Sequence, residues 1–185
     1  AWLQRHDRAC GNLYGMLLLA IGMPVALTDH VDRSEKALLR GRIGTVVGWL
    51  EDEREDAFEE PGRRVLQYMP KVVYVQFFQE NGNPEEWELD GVGVKGVYPI
   101  TATKKEWFLD KGRDRPVLKI KRQQYPLAPA FAVTAHASQG QTLKNGAIVD
   151  LNMSGTGNAL TAYVAITRVT KLADLIIYRP FGKEP

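Results

Sequence analysis

The sequence predicts an α/β protein in which a small β-barrel is followed by a region built on a parallel sheet. Two textures lead there. From about residue 40 to 125, short β-branched and aromatic runs follow closely on one another. Turn residues such as Asn81-Gly82-Asn83-Pro84 break them, as in small barrels. After Pro126 short apolar runs alternate with helical periodicity, the mark of a parallel sheet with crossover helices. The 185 residues, 44% of them hydrophobic, suffice for one ordinary domain, or a small domain with an insertion.

The elements read in order as follows. Residues 1–15 are mixed and turn-prone. Leu17 to Val31 form two apolar stretches split at Gly22-Met23-Pro24, where proline suits a strand start or turn. Ile43, Thr45, Val47 and Trp49 alternate with glycines and Val46, which suits a strand with close backbone approach. Residues 71–78, KVVYVQFF, are the firmest strand. EEWEL at 85–89 and GVYPITATKKEWF at 96–108 read as further short strands. Residues 117–125 alternate Val117, Lys119 and Lys121 against Leu118, Ile120 and Arg122, a strand with one basic face. Beyond Pro126, LAPAFAVTAHASQGQT, AIVDL, ALTAYVAITRV and DLIIYRPF read strand, short helix, strand, helix, strand. AIVDL is apolar enough for a buried parallel strand. Ala162, Ala165, Ile166 and Val169 share one helix face.

Composition excludes several classes. A single cysteine, Cys10, forbids an internal disulfide. His6, His30 and His136 are scattered without metal-ligand spacing, so no metal site is expected. The setting is expected to be reducing and intracellular: nucleus or mitochondrion in a eukaryote, cytoplasm in a bacterium. The most apolar run, Met16 to Leu27, holds Gly22 and Pro24 and falls short of the roughly 20 residues a membrane span needs. No membrane partner is expected. The chain starts at Ala1 rather than Met, which fits a piece of a longer protein. Net charge is only +2, but its distribution is uneven. Residues 51–60 hold seven acids and one arginine, which fits a solvated hairpin loop. Residues 104–122 hold eight Lys/Arg against three acids, the stripe a phosphate backbone needs.

Two segments carry chemistry. In Ala132-Val133-Thr134-Ala135-His136-Ala137-Ser138-Gln139-Gly140-Gln141-Thr142, a buried strand is expected to run into a loop of small polar donors. Thr134, His136 and Ser138 can donate hydrogen bonds, and Gly140 lets a backbone amide approach a ligand. Ser138 and Thr142 also suit a helix-capping turn in which they satisfy their own backbone. In Tyr163-Val164-Ala165-Ile166-Thr167-Arg168, the arginine ends an otherwise small and apolar helix. Its guanidinium can fork onto phosphate oxygens, or serve the helix dipole.

Taken together, these segments resemble linked motifs of superfamily 1 helicases. His136-Ala137-Ser138-Gln139-Gly140-Gln141-Thr142 is similar to the H-x-S-Q-G-x-T motif, and Tyr163 to Arg168 to the Y-V-A-x-S/T-R motif. Gly22-Met23-Pro24-Val25 with Gly41 to Val47 resembles the G-x-P-V … N-G-x-x-G-x-V stretch of the Pif/RecD-like branch, superfamily 1B. Arg122-Gln123-Gln124-Tyr125-Pro126-Leu127 resembles its R-x-Q-x-P-L. The four ordered pieces cover about residues 15–180.

The resemblance implies the second of two RecA-like lobes, formed by 1–37 and 126–185, with an SH3-like barrel inserted at 38–125. It implies ATP with Mg²⁺ between the lobes, single-stranded DNA (RNA being the alternative) across their top, 5′ to 3′ movement, and a monomer paired with its own N-terminal lobe. Thr134, His136 and Ser138 would contact the nucleic-acid backbone. Gln139, Gly140, Thr167 and Arg168 would face the nucleotide, with Arg168 as the catalytic finger on the γ-phosphoryl group. Lys119, Lys121 and Arg122 are further candidates for the strand path.

Ala137 stands where the family often has lysine, and Arg40 where it usually has asparagine before the glycine. No Gly-x4-Gly-Lys-Ser/Thr loop occurs; the sole Gly-Lys pair, Gly182-Lys183, precedes Glu184. This chain alone is therefore expected neither to hold ATP tightly nor to hydrolyse it. The rival reading is a non-catalytic nucleic-acid-binding module. Gly91-Val92-Gly93-Val94-Lys95-Gly96 fits G-x-G-x-x-G but precedes a strand-like run rather than a helix. The sequon Asn152-Met153-Ser154 is idle inside a cell. Tyr74, Phe77, Trp87 and Trp107 fit a barrel core better than base stacking.

Overall fold

The computed structural model describes residues 10–56, 58–60, 63–109, 112, 114–115, 117–152 and 159–180. His6, Met153 and Ser154 of the sequon, Lys111 and Arg113 of the basic segment, and Gly182-Lys183 lie outside the described residues. The chain divides into two compact units, Ala1–Phe131 and Ala132–Pro185.

The first unit is built on an antiparallel sheet of β1 (Pro24–Leu27), β2 (Ile43–Leu50), β5 (Val72–Phe77), β6 (Val97–Ile100) and β9 (Leu127–Pro129), in the order β6-β5-β2-β1-β9. Two antiparallel ribbons accompany it: β3 (Phe58–Glu60) with β4 (Arg63–Val65), and β7 (Thr103–Phe108) with β8 (Lys119–Gln124). Strand alternation decides what is buried. In β5, Val73, Val75 and Phe77 point inward, and Val25, Leu27, Leu38, Val46, Ile100, Tyr125 and Leu127 meet them. Each such side chain contributes roughly 1.5–3 kcal/mol on burial. The Tyr125 hydroxyl donates to Pro70 O, and burial pushes its pKa up to about 12.

The close approach expected at the glycines of β2 is found at Gly44. A Cβ there would lie 2.6 Å from Val75 Cγ1 and 2.8 Å from the Gln76 carbonyl oxygen. Backbone cannot yield as a flexible side chain can. Gly44→Ala is therefore expected to cost about 1–3 kcal/mol through overpacking, read as a lowered midpoint in urea unfolding.

The barrel expected over this region is not seen closed, and the strand expected at 85–89 is corrected. No closed barrel is found among the described residues; the strands form an open sheet and ribbons. The two edge strands nevertheless lead into one ribbon, β6 into β7 and β8 into β9, and Thr103 pairs with Gln124 at the ribbon's base. Residues 85–89 form no strand. Their polar–apolar alternation is that of a loop pinned by Trp87, which packs on the core near Phe77 and Tyr98. Its main chain serves turns, with Glu85 N–H on Phe77 O and Gly96 N–H on Trp87 O. The Gly91–Gly96 run leads into β6, not into a helix.

The acidic segment is held by local pairing. Glu55 accepts from the backbone of Gln67 and Tyr68, Asp52 pairs with Arg54, and Lys71 with Glu53. Of the four aromatics, Phe77 and Trp107 are buried and Trp87 packs against the core.

The second unit contains β10 (Ala147–Asp150), helix α1 (Ala159–Ile166), a 3₁₀ turn at Leu172–Asp174 and β11 (Leu175–Arg179). β10 and β11 are parallel, as the alternating pattern implied. Ala162, Ala165 and Ile166 of α1 lie against Val149, Leu151 and Leu175. The expectation that β10 is buried on both faces is corrected: Ile148 is 73% exposed. Within this unit only the face carrying Val149 is covered by α1, which leaves Ile148 and Ile176, paired across the ladder, both exposed. Asp150 and Arg179 form an ion pair that holds the Asp150 carboxyl below its usual range. No described helix is long and apolar enough to cross a membrane.

Candidate functional site

The second unit holds both segments that the sequence marks for chemistry. No strand forms at 132–135; the chain there is irregular and passes into turns from Ala135 to Gly140. The expected buried strand and short helix are thus corrected. A strand needs a ladder partner, and β10 and β11 pair with each other rather than with this stretch. From Phe131 to Thr142, every residue except Ala135 and Ser138 is exposed.

The loop is nevertheless ordered by its own hydrogen bonds. Thr134 Oγ1 accepts from the Ala137 N–H at 3.2 Å, and Ser138 N–H reaches Thr134 O at 3.1 Å. Ser138 is 3% exposed, and its hydroxyl donates to Ala135 O at 2.8 Å. Gln141 Nε2 donates to Ala137 O at 3.1 Å. Gly140 takes φ +80°, a left-handed conformation that lets the chain leave the turn. Thr134 and Ser138 therefore spend their hydroxyls on the loop, which for Ser138 is the capping-turn alternative raised by the sequence. His136 and Gln139 stay exposed at its surface.

Arg168 follows the last turn of α1. Its Nε–H donates to Val164 O at 2.9 Å, its Nη2 to Thr167 Oγ1 at 2.9 Å, and its Nη1 to Gln141 O at 3.4 Å. The Thr167 hydroxyl donates in turn to Tyr163 O at 2.8 Å. The Leu143 N–H closes on Arg168 O at 2.8 Å. The structure thus brings the guanidinium and the exit of the His136 loop together. A cation over helix-end carbonyls is also what the macrodipole favours, so one placement serves both readings of this residue.

Sequence reasoning missed the Gln141 carbonyl, because a main-chain acceptor has no residue signature. Thr167 is expected to fix the guanidinium through its hydroxyl. Thr167→Val should speed solvent exchange and rotation of the Arg168 side-chain N–H groups, observed by ¹⁵N NMR, and Thr167→Ser should restore them. Equal spectra for all three would disprove that role.

Lys119, Lys121 and Arg122 belong to the first unit and part company there. Lys119 and Lys121 face outward and pair with Glu106, whose carboxyl they hold below its usual range. Arg122 faces inward, with Nη1 on Leu13 O at 2.8 Å and its guanidinium 5.5 Å from the Trp107 ring centroid. The alternation expected at 117–125 is found: Lys119 and Lys121 share the exposed face of β8 and Arg122 lies on the other. Among the described residues, no group of three His, Cys, Asp or Glu side chains is placed to hold a metal ion.

No family model matches the chain. It is 26% identical over 156 residues to the ATP-dependent DNA helicase PIF7 of Trypanosoma brucei brucei, covering 84% of this chain and 15% of that protein. It is 28% identical over 160 residues to the ATP-dependent DNA helicase PIF1 of Danio rerio, covering 86% and 19%. The crystal structure of Pif1 helicase from Candida albicans matches with a TM-score of 0.52 at 22% identity, over 89% of this chain and 33% of that one. Over most of its length the chain is similar to a segment of Pif1 helicases. A second Pif1 structure, concerned with unwinding at forked double-stranded DNA, matches with a TM-score of 0.51 at 20% identity, over 86% and 27%. The Pif1 likeness therefore runs through most of this chain while spanning less than a fifth of the curated relatives' length. The structural matches speak for the fold: a sheet-dominated α/β arrangement with few helices.

Proposed function

We propose that this chain is the second motor lobe of an ATP-dependent, single-strand-translocating DNA helicase. Its roles would be contacts to the nucleic-acid backbone through the His136 loop and an arginine finger from Arg168. The observation that supports this most is Arg168 held against the exit of that loop, with Nη1 3.4 Å from Gln141 O and Leu143 N–H bonded to Arg168 O. A group at the loop and a phosphate at the arginine could then sense one another through a few bonds. ATP and Mg²⁺ are assigned to a first lobe carrying a P-loop, which this sequence lacks. When bound, they would supply the phosphoryl group and neutralise its charge. Arg168 would place a fixed positive charge beside that group, and His136 would meet a backbone phosphate. Residues 38–125 are read as an SH3-like insertion; the convergence of both sheet edges on the β7–β8 ribbon supports it.

The reading is tested on the chain itself. It should bind single-stranded DNA with an affinity that falls as salt rises, and His136→Ala should weaken that binding. With ATP and Mg²⁺, with or without the DNA strand, a phosphate-release assay should stay at background. Robust turnover would overturn the assignment to a lobe that lacks the phosphate-gripping loop.

A further inference from the structure

The β7–β8 ribbon has two faces of opposite character. Cross-strand register puts Thr103, Lys105 and Trp107 opposite Gln124, Arg122 and Ile120 on one face. There Trp107 and Gln124 are buried, Lys105 pairs with Asp29, and Arg122 is bound to Leu13 O. The other face carries Lys104, Glu106 and Phe108 opposite Gln123, Lys121 and Lys119, and all six are exposed. Phe108 is 39% exposed. Three lysines thus share a surface with one carboxylate and one aromatic ring.

We propose that this outer face is a platform for single-stranded nucleic acid, on which Lys104, Lys119 and Lys121 follow the backbone phosphates and Phe108 stacks against an unpaired base. It rests on the reading of the chain as a nucleic-acid-binding lobe. Charge complementarity favours a polyanion. The exposed ring favours unpaired bases, because a base inside a duplex has no free face to offer. Glu106 lies between the lysines, with Oε1 3.0 Å from Lys121 Nζ and Oε2 on Lys119. It acts as an internal competitor that an incoming phosphate displaces. The alternation Lys104-x-Glu106-x-Phe108 was present in the sequence, but only the register shows which lysines share the face with the ring.

The experiment is fluorescence anisotropy of a labelled oligothymidylate with the full 185-residue chain across a salt series. Replacing Lys104, Lys119 and Lys121 together by alanine should lower the log–log salt slope by about 2, at about 0.7 for each single-strand phosphate that the chain no longer neutralises. Phe108→Ala should weaken binding about 5- to 150-fold with an unchanged slope. Glu106→Gln should tighten binding, a gain that no loss of structure produces. All these side chains are exposed, so matching thermal melts would show the fold intact. If the ribbon variants bind like wild type while His136→Ala weakens binding, the platform is wrong and the lobe reading stands. If a duplex of equal length binds as tightly and Phe108→Ala changes nothing, the single-strand platform is overturned. If nothing binds even at low salt, both readings fall.

Discussion

If Arg168 is the proposed arginine finger, replacing it with alanine should reduce ATP hydrolysis by about three to five orders of magnitude once this chain is joined to a lobe that binds ATP. Single-strand affinity should change little, because the guanidinium is bonded to Val164 O, Thr167 Oγ1 and Gln141 O rather than held at the exposed surface of the His136 loop. Arg168→Lys should recover only a small part. A lysine ammonium is a point charge and cannot engage two helix-end acceptors and the loop carbonyl with one planar fork. The measurement is steady-state ATP hydrolysis with saturating single-stranded DNA, alongside anisotropy for binding. Loss of binding in step with loss of hydrolysis would assign Arg168 to the fold instead of to the nucleotide.

Phe77→Ala should be the most damaging single change to the fold of the first unit. Phe77 is fully buried at the end of β5 and its ring lies 6.5 Å from that of Trp87. Truncation removes the ring and leaves a cavity under the loop that Trp87 pins. Large-to-small aromatic changes of this kind cost about 3–5 kcal/mol. For a chain of this length that corresponds to a fall in melting temperature of roughly 6–20 °C. The Trp87 fluorescence should shift to the red in the folded state, as water reaches its ring. An unchanged melt would mean that the 80–96 loop collapses to fill the space.

The local alternation of β5 was legible because it is strict: Val73, Val75 and Phe77 are buried and Val72, Tyr74 and Gln76 are not. The same rule failed at 85–89, where one large aromatic among acids imitates a strand while the backbone makes turns. It failed again at 132–135. Apolar composition there reads as a buried strand, but a ladder needs a second chain segment, and composition does not say which segment comes alongside. The site followed the same division. His136, Thr167 and Arg168 were legible as residue types in order. That Ser138 turns its hydroxyl inward, and that Gln141 offers a carbonyl to Arg168, were not.

By itself the sequence determined the parallel βαβ unit, the helix face of Ala162, Ala165 and Ile166, and the ordered motifs that resemble those of Pif1 helicases. Those follow from periodicity and side-chain chemistry, which are local. Only the tertiary structure decided that Arg122 points inward while Lys119 and Lys121 point outward. It also decided that β6 and β9 feed one ribbon, and that the arginine rests on the loop. Each of these depends on register and on contacts between residues far apart in the chain, and a shift of one residue in pairing would reverse every such face.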